Sequence, residues 1–162
     1  MKSLLTALKR LLNGDLAAGR ETVEATHPYF GGIVWSGGRD DPTGYWDAEV
    51  RLPGATKPVG VIIQSPRSGP TAADERVCRE LLGDPDALFE RCRAAFAPVY
   101  LEWARAPLPS DWRPAFQLDG VSLPPGGDLA AEWDVCWFVA PAGHYFTATF
   151  AGGRVRDVVV DG

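Results

Sequence analysis

The sequence predicts an α+β fold built on a mainly antiparallel sheet, and three features of its patterning lead there. Apolar and polar residues alternate at period two between residues 23 and 63, and again between 116 and 160. Between these tracts, over 71–105, the apolar spacing becomes that of an α-helix. Strands and helices are therefore segregated along the chain, unlike the strand-helix alternation that builds parallel sheets. At 162 residues, 46% hydrophobic and with six tryptophans, the chain can bury a sizeable core as a single domain, 1–162, without disulfide support.

The first element is a helix over 1–14. Leu4, Leu5, Leu8, Leu11 and Leu12 share one helical face, Ser3 is placed to cap it, and Asn13-Gly14 stops it. Its polar face is mildly basic, so it reads as a terminal amphipathic helix packed on the domain, or as one that meets a partner or a membrane surface.

A three-stranded antiparallel meander follows over 23–63. Phe30 to Trp35 is the first strand, and a Gly- and Asp-rich turn leads to Tyr45–Leu52. There Trp46, Ala48, Val50 and Leu52 point one way and Asp47, Glu49 and Arg51 the other. Pro53 to Pro58 turns the chain into Val59–Ile63, apolar on both faces and hence more interior.

The helical pair over 71–105 comes next. Thr71 and Asp74 have the spacing of a capping box, Val77, Cys78, Leu81 and Leu82 share a side, and Gly83 ends the first helix. Asp84 can cap the second and Pro85 fits its first turn, while Leu88, Phe89, Cys92, Phe96, Val99, Tyr100 and Trp103 carry the helical spacing onward. Pro98 removes one hydrogen bond, which predicts a kink near 94–97 and not two helices.

Beyond a connector anchored by Trp112, four strands are readable over 116–160: Phe116–Leu123, Trp133–Ala140, Tyr145–Phe150 and Arg154–Val160. Ala151-Gly152-Gly153 marks a hairpin between the last two. Trp133, Val135, Trp137 and Val139 share one face and Cys136, Phe138 and Ala140 the other, so that strand belongs in the interior of the sheet. The helical pair is expected on one face of the sheet.

Composition narrows the function classes. A net charge of −5 argues against a nucleic-acid binder, whose affinity comes from clustered Lys and Arg. The charge is uneven, with residues 1–20 carrying +3 and the remainder −8. Cys78, Cys92 and Cys136 form an odd set without C-x-x-C spacing, which reads as reduced, buried thiols in the cytoplasm. The first ten residues lack the long apolar run of a signal peptide, and no apolar run is long enough to span a bilayer. Thirteen of the sixteen basic residues are Arg, a bias that GC-rich codons produce and that points to a bacterium.

Signatures of chemistry are sparse. No G-x-G-x-x-G, Walker loop, H-E-x-x-H or G-x-S-x-G is present, and no spacing gathers metal ligands around the two histidines, so neither a cofactor nor a metal is implied. His27 and His144 are the candidate general bases, each beside a strand end. Among the carboxylate pairs, Asp47 and Glu49 share a face by pattern and can host acid-base work, a cation or a partner's charge, although Arg51 continues the row and offsets them. Tyr45 lies on the same row and joins them as a candidate binding residue.

The segment Thr26-His-Pro-Tyr-Phe-Gly-Gly-Ile-Val-Trp35, the strand Tyr45-Trp-Asp-Ala-Glu-Val-Arg51 and the ending Phe150 to Gly162 resemble a set of small bacterial α+β proteins of immunity-protein type. The resemblance is one of layout over most of the chain and carries no active-site residue. It implies a protein that binds another protein. Three readings follow: a non-enzymatic cytoplasmic domain that binds a basic protein partner, in the manner of a toxin-immunity protein; a small hydrolase-like enzyme using His27 or His144 with a carboxylate; and a structural subunit assembled through its N-terminal helix. Oligomeric state is not encoded in the pattern. A histidine and a carboxylate converging in one pocket would favour the enzyme.

Overall fold

The computed structural model describes residues 20–38 and 44–162, so the predicted helix over 1–14 lies outside the described residues. The fold is α+β. The described chain forms one eight-stranded sheet in sequence order: β1 (Arg20–His27), β2 (Gly31–Gly38), β3 (Tyr45–Val50), β4 (Val59–Ile63), β5 (Phe116–Ser122), β6 (Trp133–Val139), β7 (His144–Ala151) and β8 (Arg154–Asp161). Helices α1 (Ala72–Gly83) and α2 (Pro85–Ala104) connect β4 to β5, and a 3₁₀ turn spans Pro125–Gly127.

Seven of the eight strands coincide with predicted ones, and β1 is the addition. Its sequence, Arg-Glu-Thr-Val-Glu-Ala-Thr-His, holds little apolar signal because it is the outermost strand of the sheet, where charged side chains discourage pairing with another chain. The meander therefore has four strands. All neighbouring strands are antiparallel except β4 and β5, which run parallel through Gly60↔Gly120, Val61↔Val121 and Ile62↔Ser122. A parallel pair needs a crossover of a dozen or more residues, and the two helices supply it.

Each helix starts as its sequence dictates. Thr71 caps α1 in a reciprocal box, with the Asp74 amide donating to Thr71 Oγ1 at 3.3 Å and the Thr71 amide donating to Asp74 Oδ2 at 2.6 Å. The Ser65 hydroxyl also donates to Asp74 Oδ2 at 2.6 Å, so this 1%-exposed carboxylate ties the β4 exit to the helix start. Asp84 caps α2 by accepting from the Ala87 amide at 2.9 Å, and α2 runs as one helix through Pro98 to a left-handed Arg105.

Both helices lie against the face that carries Ile33, Trp35, Trp46, Val61, Val135, Trp137, Phe146 and Phe150, and together they enclose the main core. Its centre is aromatic. Phe89 of α2 stacks on Trp112 at 4.5 Å and meets Phe116 and Trp137 edge-on at 4.8 and 5.4 Å. Such geometry adds about 0.5–1.5 kcal/mol per pair beyond area burial. Trp35 is held so tightly that a Cβ at Gly37 or Gly44 would lie 2.5 or 2.4 Å from its indole, which makes glycine obligatory at both positions.

Candidate functional site: the face of the sheet opposite α1 and α2

Strand parity sorts the candidate residues onto the two faces. Asp47 and Glu49 alternate with the core residues Trp46 and Ala48, so both lie on the face opposite α1 and α2. The two histidines occupy the other parity. His27 sits in register with Gly31 two residues beyond Ala25, and its Nδ1 accepts from the Tyr29 and Phe30 amides at 3.2 and 3.4 Å, closing the β1–β2 turn. His144 alternates with the buried Phe146, its Nδ1 lies 2.7 Å from the Ala142 carbonyl, and its ring packs on Trp103 of α2 at 4.5 Å. The sheet therefore stands between both histidines and the Asp47/Glu49 row. The histidines are also apart from each other, because six strand spacings separate β1 from β7, about 29 Å at the usual inter-strand distance.

Register brings a third carboxylate to the row. Glu24 pairs with Val34, and Val34 pairs with Asp47, so two acids flank a valine that is 37% exposed, with Glu49 two residues further along β3. Glu24, Thr26, Gly32 and Val34 line a shallow groove of about 320 Å³. Among the described residues neither Glu24 nor Glu49 has an ion-pair partner, whereas Glu21, Glu75, Asp86, Glu90, Asp111 and Glu132 each lie against an arginine. Sequence reasoning missed Glu24. Its signal was the Thr22-Val23-Glu24-Ala25 alternation, too weak in apolar residues to read as a strand.

The same register line continues through Ile62 and Ser122 to Asp134, which is half-buried. Burial raises the Asp134 pKa above the ordinary carboxylate value, and the Thr149 hydroxyl donating to it at 2.6 Å opposes the rise. Asp134 stands three strands from Asp47, about 14 Å, too far to share a proton or a substrate atom. Tyr45 is 3% exposed and clusters with Ile62 and Cys136 on this face, so it forms part of the floor beside the acids and not a projecting anchor.

A second cavity, of about 370 Å³, opens at the end of the sheet between Lys57, Arg113, Phe116, Gln117 and Phe138, and neither histidine nor the acidic row reaches it. Arg113 there is already engaged by Asp86 and Asp111. Among the described residues, no three His, Cys, Asp or Glu side chains gather as metal ligands, and no helix is long and apolar enough to cross a membrane.

The thiols are buried and unbridged. Burial pushes Cys78 up to about 11, despite the Tyr29 hydroxyl donating to its sulfur at 3.8 Å, and pushes Cys92 up to about 12. Thiols so placed are protonated near neutrality and are poor nucleophiles. No family model, curated protein or solved structure matches the chain.

Proposed function

We propose that the chain is a non-enzymatic binding domain that recognises a basic protein partner through the face of β1–β3 opposite α1 and α2, in the manner of a toxin-immunity protein. The observation that carries this reading is the grouping of Glu24, Asp47 and Glu49 around the exposed Val34, with no ion-pair partner for Glu24 or Glu49 among the described residues. An apolar spot framed by carboxylates offers a partner a small desolvated contact and a charge pattern that sets orientation. Tyr45 supports this surface from its floor. The acid-base reading has less behind it, because the imidazoles and the Asp47/Glu49 carboxylates lie on opposite sides of the sheet. Three reduced, buried thiols suit a reducing compartment, so the proposed setting is the cytoplasm of a bacterium.

The test is affinity capture from the source organism with the full chain, followed by association kinetics on the captured protein. The triple variant Glu24→Gln/Asp47→Asn/Glu49→Gln keeps shape and removes charge. The wild-type association rate is expected to fall as salt rises, and the variant to associate more slowly at low salt with a shallower salt dependence. Equal rates for the two proteins would refute this surface. A turnover abolished by His144→Ala would move the protein to the enzyme class.

A further inference from the structure

At one end of the sheet β4 and β5 separate, and the gap between them is a cavity. Their parallel pairing begins only at Gly60↔Gly120, so Phe116, Gln117 and Leu118 pair with β6 alone. Two local features hold the strands apart. A register slip between Leu118 and Gly120 bends β5, and Pro58, which has no N–H to give to a neighbouring strand, leads into β4. The opening of about 370 Å³ falls within the range of small-molecule sites, about 300–1,000 Å³.

Its walls are fixed by the protein's own hydrogen bonds. The Trp112 carbonyl accepts from the Ala115 and Phe116 amides at 2.9 and 3.0 Å, and the Ala115 carbonyl accepts from the Ala140 amide at 2.9 Å. Val59, Ala115 and Phe116 are buried and make an apolar floor, and the half-buried Phe138, in register with Gln117, adds a second aromatic side chain to the lining. Lys57, Arg113 and Gln117 bring exposed polar groups, and none of the described residues lining the cavity is acidic. Arg113 is already engaged by Asp86 and Asp111, whereas Lys57 has no ion-pair partner among the described residues.

These groups select one kind of ligand. A cation would find no carboxylate in the lining, and a polyphosphate would find a single uncommitted cation. An apolar floor beside one lysine suits a monoanion with a flat apolar body, which displaces water from the floor while its charge meets the ammonium group. We propose that this cleft binds a small aromatic monocarboxylate, its ring against Phe116 and Phe138 and its carboxylate on Lys57 and Gln117. The site is separate from the acidic groove on β1 and β2 and does not depend on it.

The probes are naphthoate, its uncharged counterpart naphthamide, and inorganic phosphate, each titrated into the isotope-labelled full chain and followed by NMR. Naphthoate should bind with a Kd of about 1 mM or tighter and shift the amides of 54–59 and 115–118. Naphthamide should bind about three- to fivefold more weakly, the usual worth of an exposed charge pair, and phosphate should not bind measurably. Lys57→Gln should weaken naphthoate by the same factor while leaving naphthamide affinity and the urea midpoint unchanged, and Lys57→Arg should restore naphthoate binding. Absence of naphthoate shifts, or shifts centred elsewhere, would overturn the proposal. So would equal affinity for naphthoate and naphthamide, naphthoate binding unaltered by Lys57→Gln, or phosphate bound as tightly as naphthoate.

Discussion

Truncating Trp137 to alanine tests the placement of the core more sharply than any other single change. Its side chain is fully buried on β6, with its ring edge-on to Phe89 at 5.4 Å and to Trp112 at 5.2 Å. Loss of a buried tryptophan costs about 3–5 kcal/mol through lost transfer energy and the cavity left behind. The two edge-to-face contacts place this site in the upper part of that range, about 4–5 kcal/mol. That is about a quarter or more of the stability of a domain near the usual ~5–15 kcal/mol. With a urea slope of about 2 kcal/mol per molar, the unfolding midpoint should drop by roughly 2 M. Glu49→Ala, an exposed change with no ion pair to break among the described residues, should move stability by about 0.5 kcal/mol or less and serves as the control. A Trp137→Ala loss under about 1 kcal/mol, or equal midpoints for the two variants, would refute the assignment of the β6 faces.

Three further outcomes are expected. Cys78, Cys92 and Tyr29 are held at about 11, about 12 and about 12, so the folded chain keeps protons that the unfolded chain releases from about pH 9 upward. Stability should therefore be full below that pH and decline as pH climbs through 10 to 12, which urea midpoints at pH 8 and 10 would register, and a flat profile would contradict. Asp134→Asn removes a carboxylate whose charged form burial disfavours while leaving an acceptor for Thr149, so it should stabilise by about 0.5 kcal/mol at neutral pH and by less below pH 4, as thermal unfolding at both values would check. Asp74→Ala takes away the shared acceptor of Ser65 and Thr71 and should cost about 2–3 kcal/mol in chemical denaturation, whereas Glu75→Ala, in the same helical turn, should cost well under 1.

The helices were legible because local chemistry specifies them. Thr71-x-x-Asp74 and Asp84-Pro85 fix their starts within a few residues, and no distant partner is needed. Strands β3 and β6 were equally plain, since a half-buried or interior strand writes its environment into its alternation. Strand β1 was not, because an outermost strand is solvated on both sides and has little apolar content to display. The candidate surface was half legible for a related reason. Asp47 and Glu49 share a face through the geometry of one strand, but Glu24 joins them only through register with β2 and β3, a pairing that sequence periodicity does not contain. The separation of the histidines from the carboxylates is likewise a matter of parity across strands, visible once Ala25 and His27 are aligned with Ile33 and Gly31.

The parallel junction between β4 and β5 bears on the order in which the molecule assembles. On either side of it, β1–β4 and β5–β8 are runs of antiparallel neighbours, and the one strand pairing in the sheet that spans the helical insertion is β4 with β5. Hairpins close in about 1–10 μs, whereas this junction must wait for the chain from Gln64 to Ala115 to bring its ends together. Helix α2 supplies the C-terminal half with partners early, since Phe89 and Phe96 both pack on Phe116, and Phe89 on Trp112 and Trp137. The β1–β4 run, sharing its end with α1 through Tyr29 and Cys78, is expected to dock later. Its amides would exchange with solvent through a partial opening that leaves the C-terminal nucleus intact, so one sheet, continuous in the native state, behaves as two units in time.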